Sequence, residues 1–231
     1  MELLFPEKYQ NFLSHTIPDM IIIGLQEIVE LDTKNILSSK RNEGSVNLWT
    51  VKFQTLLEIQ YELIAKADLV GILFLCFAKK DIKSRITKIK TKITKTGFFG
   101  ALGNKGFINI GFEYKNKTFA ISTGQLTSGE NSNSSRIKEL TNILNSTFEG
   151  NNLKFIDNDY WFILGDLNFR EEGVTKEYVY DCIKNKCLQL IKDYDQFLLN
   201  KDDISPLLKE GNITFYPTYK FAVRTRNYDI T

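Results

Sequence analysis

Apolar residues in this chain fall into short runs separated by polar turns. Met20 to Leu25 (MIIIGL) is a β-branched run too short for a typical helix, and it predicts a buried strand whose end opens at Gln26 and Glu27. From Asn47 to Ala67, Leu48, Val51, Leu56, Ile59 and Leu63 recur at helical spacing and predict an amphipathic helix. Leu69 to Phe77 predicts a second apolar strand. Ile86 to Thr94 alternates, with Lys88, Lys90 and Lys92 on one face and Ile89, Thr91 and Ile93 on the other. Phe107 to Phe112 and Thr118 to Thr123 predict a strand pair joined through Lys115-Asn116-Lys117. Ser134 stands where it would cap a helix from Ser135 to Phe148. Tyr160 to Leu164 (YWFIL) predicts a third buried strand, ending at Gly165-Asp166. Thr175 to Lys192 predicts a helix, and the remainder, with Pro206 and Pro217, predicts loops. Strands alternate with helices, and no repeat or linker interrupts them. The pattern predicts one domain over residues 1–231, of the α/β or α+β class.

Composition narrows the function classes. The 231 residues are 42% hydrophobic and 25% charged, an ordinary globular balance. Lys and Arg total 30 against 28 acids, for a net charge of +2. That balance lacks the basic footprint of a nucleic-acid coat. The longest apolar stretch, Leu69 to Ala78, is about half the roughly 20 residues of a membrane span. Glu2, Pro6, Glu7 and Lys8 break any secretory leader pattern, so a cytoplasmic protein is expected. Cys76, Cys182 and Cys187 are too few for a disulfide scaffold and are expected to be free thiols. The single histidine, His15, lies in the N-terminal segment, which leaves few routes to histidine-based acid–base chemistry.

Oxygen ligands are better represented. Glu27, Asp166 and Asn168 stand at the ends of predicted strands, rigid positions from which they could offer oxygens to Mg²⁺. Taken singly, each more commonly caps a turn, since turn-forming acids and amides are frequent. Thr96 to Gly106 (TGFFGALGNKG) carries four glycines, whose backbone N–H groups can approach an anion, with Asn104 and Lys105 as donors. It is not a P-loop, because Gly106 and Phe107 follow Lys105 where Ser or Thr should stand. Taken alone, the segment reads more readily as a plain glycine-rich hairpin. The basic stripe from Lys79 to Lys95 reads as a solvated face or as a surface for an anionic partner.

Taken together, PDMIIIGLQEIVEL, TGFFGALGNKG, DYWFILGDLNFR and ITFYPTYKF resemble the inositol polyphosphate 5-phosphatase family of the endonuclease/exonuclease/phosphatase superfamily, in that order and at that family's spacing. The resemblance implies an α+β, DNase-I-like four-layer sandwich with two central mixed β-sheets. It implies Mg²⁺ near Glu27, with Asp166 and Asn168 positioning the attacking water and the scissile phosphate. It also implies substrate contacts from Asn104, Lys105, Gln125, Tyr219 and Lys220, the last two holding the neighbouring 4-phosphate, and a structural role for Arg136. The partner would be a phosphoinositide or inositol polyphosphate, with peripheral contact at an anionic membrane and no nucleic acid.

The chain departs from that pattern in three places. No Trp-Asn-x-Asn motif precedes Glu27. Gln125-Leu126 stands where the family has His-Leu, and a glutamine cannot carry a proton near neutral pH. The family's later Pro-Ala-Trp-Cys-Asp-Arg and Ser-Asp-His motifs do not occur within the 231 residues. Relative to the family, the chain is expected to be shortened at both ends and to lack terminal strands. The competing expectation is an inactive module that keeps a phosphoinositide-binding cleft.

Overall fold

Met20–Leu25 (β1), Tyr61–Leu69 (β2) and Ile72–Lys79 (β3) form an antiparallel sheet in the order β1-β3-β2. β3 (ILFLCFAK) lies between the other two and is covered on both faces, so its sequence is apolar throughout where a half-exposed strand would alternate. Phe74, Cys76 and Ala78 join one core cluster with Ile108, Ile110 and Ile121. Leu73, Leu75 and Phe77 join another with Val46 and Phe53. Burial pushes the Cys76 thiol up to about 12. The structure, a computed structural model, describes residues 17–29, 39–96, 105–150, 152–225 and 227–229, and elements are numbered within these.

Helix α1 (Ser39–Leu57) buries Asn42, Val46, Thr50 and Phe53, a stripe at three- and four-residue steps. The predicted helix Asn47–Ala67 is therefore corrected at both its end and its face. It stops at Leu57, Gln60 N–H donates to the Leu57 carbonyl (3.2 Å), and Tyr61 opens β2. Leu48 and Val51 are exposed, and Ile59 is 84% exposed. Glu62 to Ala67 favours helix locally, but antiparallel pairing with β3 overrides that preference. Gly71 makes the short connection possible with φ 77°, in the left-handed region. The predicted strand Leu69–Phe77 accordingly splits across this turn, with Leu69 in β2 and Ile72 in β3.

The second sheet runs β4 (Thr87–Lys95), β5 (Gly106–Tyr114), β6 (Lys117–Gln125), β7 (Tyr160–Asp166). β4, β5 and β6 are antiparallel, while β7 runs parallel to β6, making this sheet mixed and the first one wholly antiparallel. The β5–β6 hairpin turns through Lys115 and Asn116, both at positive φ (50° and 59°), the twist that a two-residue hairpin favours. Among the described residues β7 is an edge strand with one neighbour. Tyr160 (47% exposed) and Phe162 (53%) are thus less covered than the predicted buried strand requires.

By contacts the chain divides into two compact units, Met1–Thr127 with Asn142–Leu167, and Ser128–Thr141 with Asn168–Thr231. The first contains both sheets. Helix α2 (Asn133–Leu144) starts in the second and ends in the first, shorter than the predicted 135–148. The second unit also holds α3 (Lys176–Lys184), α4 (Gln189–Lys192) and α5 (Gln196–Ile204). The predicted helix Thr175–Lys192 is broken where Asn185 caps α3 and Lys186 takes φ 60°. α5 falls where loops were expected, and the Asp195 side chain caps it by accepting from Phe197 N–H (2.7 Å). The cysteines are free, Cys76 and Cys182 buried and Cys187 exposed.

Candidate functional site

Three strand ends of the first unit converge. β1 leads into Glu27, β6 ends at Gln125 and β7 ends at Asp166. Gly24 lets β1 approach the other sheet, since a Cβ there would lie 2.0 Å from Thr123 Oγ1. Beyond β1, Ile28 N–H donates to the Gly71 carbonyl (3.1 Å), and Glu27 itself takes φ 55°. A non-glycine residue in that region is uncommon and is held there by its surroundings. Gln125 and Asp166 are register partners, and Leu126 N–H continues the pairing to the Asp166 carbonyl (3.0 Å). Gly165 just before it has φ 130°, and a Cβ there would meet the Gly124 carbonyl at 2.1 Å.

The result is a carboxylate pair joined by one amide. Gln125 Nε2 donates to Glu27 Oε1 (2.9 Å) and to Asp166 Oδ2 (3.0 Å). Gln125 is 2% exposed, and its Oε1 is buried with no hydrogen-bond partner. Both carboxylates are exposed. Two solvent-facing carboxylates above a buried amide are a donor set that suits a hard, oxygen-seeking divalent cation. Among the described residues no group of three or more His, Cys, Asp or Glu gathers for a metal, so the carboxylate pair is the whole of the acidic donor set there.

The remaining predicted residues divide between the units. Lys105 is half-buried in the first, its carbonyl accepting from Thr96 N–H (3.1 Å), and it precedes Gly106, the register partner of Gln125. Asn104 and the glycine turn 97–104 lie outside the described residues. Asn168, Tyr219 and Lys220 belong to the second unit. There Asn168 Oδ1 accepts from Arg170 Nη2 (3.0 Å), and Gln196 Oε1 accepts from both Arg170 N–H (3.1 Å) and Arg136 Nη2 (2.8 Å). Arg136 is fully buried and also donates to the Gly129 carbonyl (2.7 Å), the structural role expected of it.

Tyr219 and Lys220 line a cavity of about 410 Å³ with Glu130, Arg170, Lys176 and Asp229. The segment carrying them folds back on itself. Phe221 stacks on Tyr228 (4.6 Å), and Tyr228 Oη donates to the Pro217 carbonyl (2.7 Å). Lys220 pairs with Asp229 (2.7 Å), whose hydrogen bond and negative charge raise the lysine's pKa and keep it cationic. Sequence reasoning missed Arg170, Lys176 and Asp229. Arg170 closes the string DYWFILGDLNFR and was available as a signal, whereas Asp229 meets Lys220 only through this fold-back.

Three lysines of the basic stripe are engaged internally. Lys90 and Lys92 donate to the Glu149 and Thr147 carbonyls (3.1 and 2.7 Å), and Lys88 pairs with Glu113 (2.8 Å).

The pattern described as Endonuclease/Exonuclease/phosphatase family 2 matches residues 2–231, running through both units. The chain belongs to that family. Inositol polyphosphate 5-phosphatase K of Mus musculus is 32% identical over 216 residues, covering 91% of this chain and 45% of its own length. Inositol-1,4,5-trisphosphate 5-phosphatase 1 of Schizosaccharomyces pombe is 30% identical over 239 residues, covering 98% of this chain and 21% of its own. Among solved structures, the inositol polyphosphate 5-phosphatase domain of SPsynaptojanin, in complex with inositol (1,4)-bisphosphate and calcium ion, superposes with TM-score 0.78 at 28% identity, over 97% of this chain and 66% of that one. The family member described here therefore has the 5-phosphatase, DNase-I-like fold and spans less than half the length of these curated relatives.

Proposed function

We propose that this chain hydrolyses the 5-phosphate of a phosphoinositide or inositol polyphosphate with the help of Mg²⁺. The observation that carries the reading is the Glu27–Gln125–Asp166 constellation, in a chain whose relatives are inositol polyphosphate 5-phosphatases. Glu27 would hold the cation, which when bound supplies charge stabilisation for the phosphoryl oxygens. Asp166 and Asn168 orient the water for in-line attack on phosphorus. The phosphorus–oxygen bond to ring carbon 5 breaks, giving inorganic phosphate and a free ring hydroxyl. Lys105 and Asn104 would contact the substrate, and Tyr219 and Lys220 would take the adjacent 4-phosphate through a charged hydrogen bond. Contact with a lipid substrate would be peripheral, from the cytoplasm; separately, among the described residues no helix is long and apolar enough to cross a membrane.

A second reading has its own observation. Gln125 cannot act as a proton donor, and the chain's one histidine, His15, lies outside the described residues. General acid–base help contributes roughly 10² to 10⁴ in rate, so glutamine in place of the family's histidine at position 125 favours a slow hydrolase or a binding module.

Phosphate release from vesicles containing a 4,5-bisphosphorylated phosphoinositide separates the two. Hydrolysis is expected to require Mg²⁺ and to be abolished by Asp166→Ala in a chain that still melts cooperatively. A cooperatively melting wild-type chain that binds the lipid and releases no phosphate would leave the binding module standing and remove the hydrolase.

A further inference from the structure

We propose that Gln125 is a positioning residue for the divalent cation, with its amide nitrogen holding the Glu27 and Asp166 carboxylates at the separation that receives the ion. The inference rests on the cation site proposed above. Glu27 follows β1 of one sheet and Asp166 ends β7 of the other, and among the described residues both are edge strands. Two like charges on separately held strands would spread apart unless a donor lies between them. Gln125 Nε2 is that donor, at 2.9 and 3.0 Å.

The amide's orientation follows from the same contacts. Turned over, it would set Oε1 against two carboxylate oxygens. In the observed orientation Oε1 is buried without a partner, an unfavourable state that the two charge-assisted bonds offset. Burial of the side chain makes the clamp rigid, and each bond engages one oxygen of its carboxylate. No third acid, histidine or cysteine gathers with the pair among the described residues, so the pair's geometry bears directly on cation affinity. Groups that orient metal ligands in this way typically govern affinity by roughly 10- to 100-fold.

The test is calorimetric titration of Mg²⁺ into the chelator-stripped chain, with thermal melts alongside. Gln125→Met keeps the volume and removes the donor, and a loss of roughly 10- to 100-fold in Mg²⁺ affinity is expected for a chain that still melts cooperatively. Should that variant fail to fold, Gln125→Asn decides. It keeps an amide too short to reach both carboxylates, and the same direction of loss is expected. Thr123→Val, which removes the acceptor of Gln26 Nε2 (3.3 Å), serves as the structural control: its melt should fall while Mg²⁺ affinity stays at the wild-type value. If the folded Gln125 variant binds Mg²⁺ as wild type does while Glu27→Gln loses it, the inference is overturned and the cation site stands. If the wild-type chain itself takes up no Mg²⁺, the site reading fails and the inference with it.

Discussion

The two units hold their candidate residues by different means. In the first, Gln125 and Asp166 are register partners on adjacent strands, and Glu27 is brought to them by a sheet that glycine at position 24 lets approach. In the second, Lys220 is placed by a fold-back segment with a stacked Phe221–Tyr228 pair and is paired to one carboxylate, Asp229. Strand register fixes backbone positions in steps that a side chain cannot adjust. An ion pair at a half-exposed position is a softer constraint, worth little in stability and open to tuning by a single charge. Substitution at the carboxylate pair of the first unit is therefore expected to act steeply, and at the ion pair of the second by degrees.

The largest effect should come from the strand under the carboxylate pair. Phe74 is fully buried in β3, opposite Gly24 of β1, within the cluster that includes Ile108 and Ile121. Phe74→Ala should cost about 3–5 kcal/mol, measured as a lower denaturation midpoint at unchanged slope. A loss under about 1 kcal/mol would mean that the contact between the sheets is not what supports the pair.

How far the sequence could be read depends on whether a local pattern or a tertiary contact decides each feature. β1, β4, β5 and β6 were legible because short β-branched or alternating runs bounded by turn residues leave few alternatives. Glu27 and Asp166 were legible because strand ends can be located from such runs. The face of α1 was not, since Leu48, Val51 and Ile59 mimic an inward stripe while Val46, Thr50 and Phe53 supply the real one. β2 was hidden because pairing with β3, a tertiary event, decides its state. The bridging amide was also hidden: the sequence marks Gln125 as a residue near the site but not as a double donor, which depends on two sheets meeting. The Lys220–Asp229 pair required a fold-back that no local pattern encodes.

A smaller effect should appear at that pair. Asp229 holds Lys220 cationic but also offsets its charge toward an incoming phosphate. Asp229→Asn would leave the cavity one unit more positive while retaining a hydrogen-bonding side chain. Affinity for a 4-phosphorylated inositol phosphate, measured by calorimetry at about 0.15 M salt, is expected to rise about two- to fivefold, the scale of a half-exposed charge pair. Unchanged affinity would detach Lys220 from phosphate recognition, and with it the graded behaviour assigned to the second unit.

The smallest effect concerns the lysines of β4. Read as a stripe, Lys88, Lys90 and Lys92 offer three charges to an anionic membrane, and a basic side chain at such a surface contributes about 1 kcal/mol. Lys90 and Lys92 instead reach back to the Glu149 and Thr147 carbonyls, and Lys88 is paired with Glu113, leaving less charge to offer. Replacing all three with Glu should reduce co-sedimentation with anionic vesicles by only a few-fold at low salt, and the difference should vanish as salt is raised. Lys88→Glu alone should account for most of it, because Lys88 is the most exposed of the three, while Lys90→Glu and Lys92→Glu should register mainly as a lower melt through loss of their carbonyl bonds. Unchanged sedimentation of the triple variant would remove this face from any membrane contact, and an effect carried equally by all three would show that the internal bonds yield to the membrane.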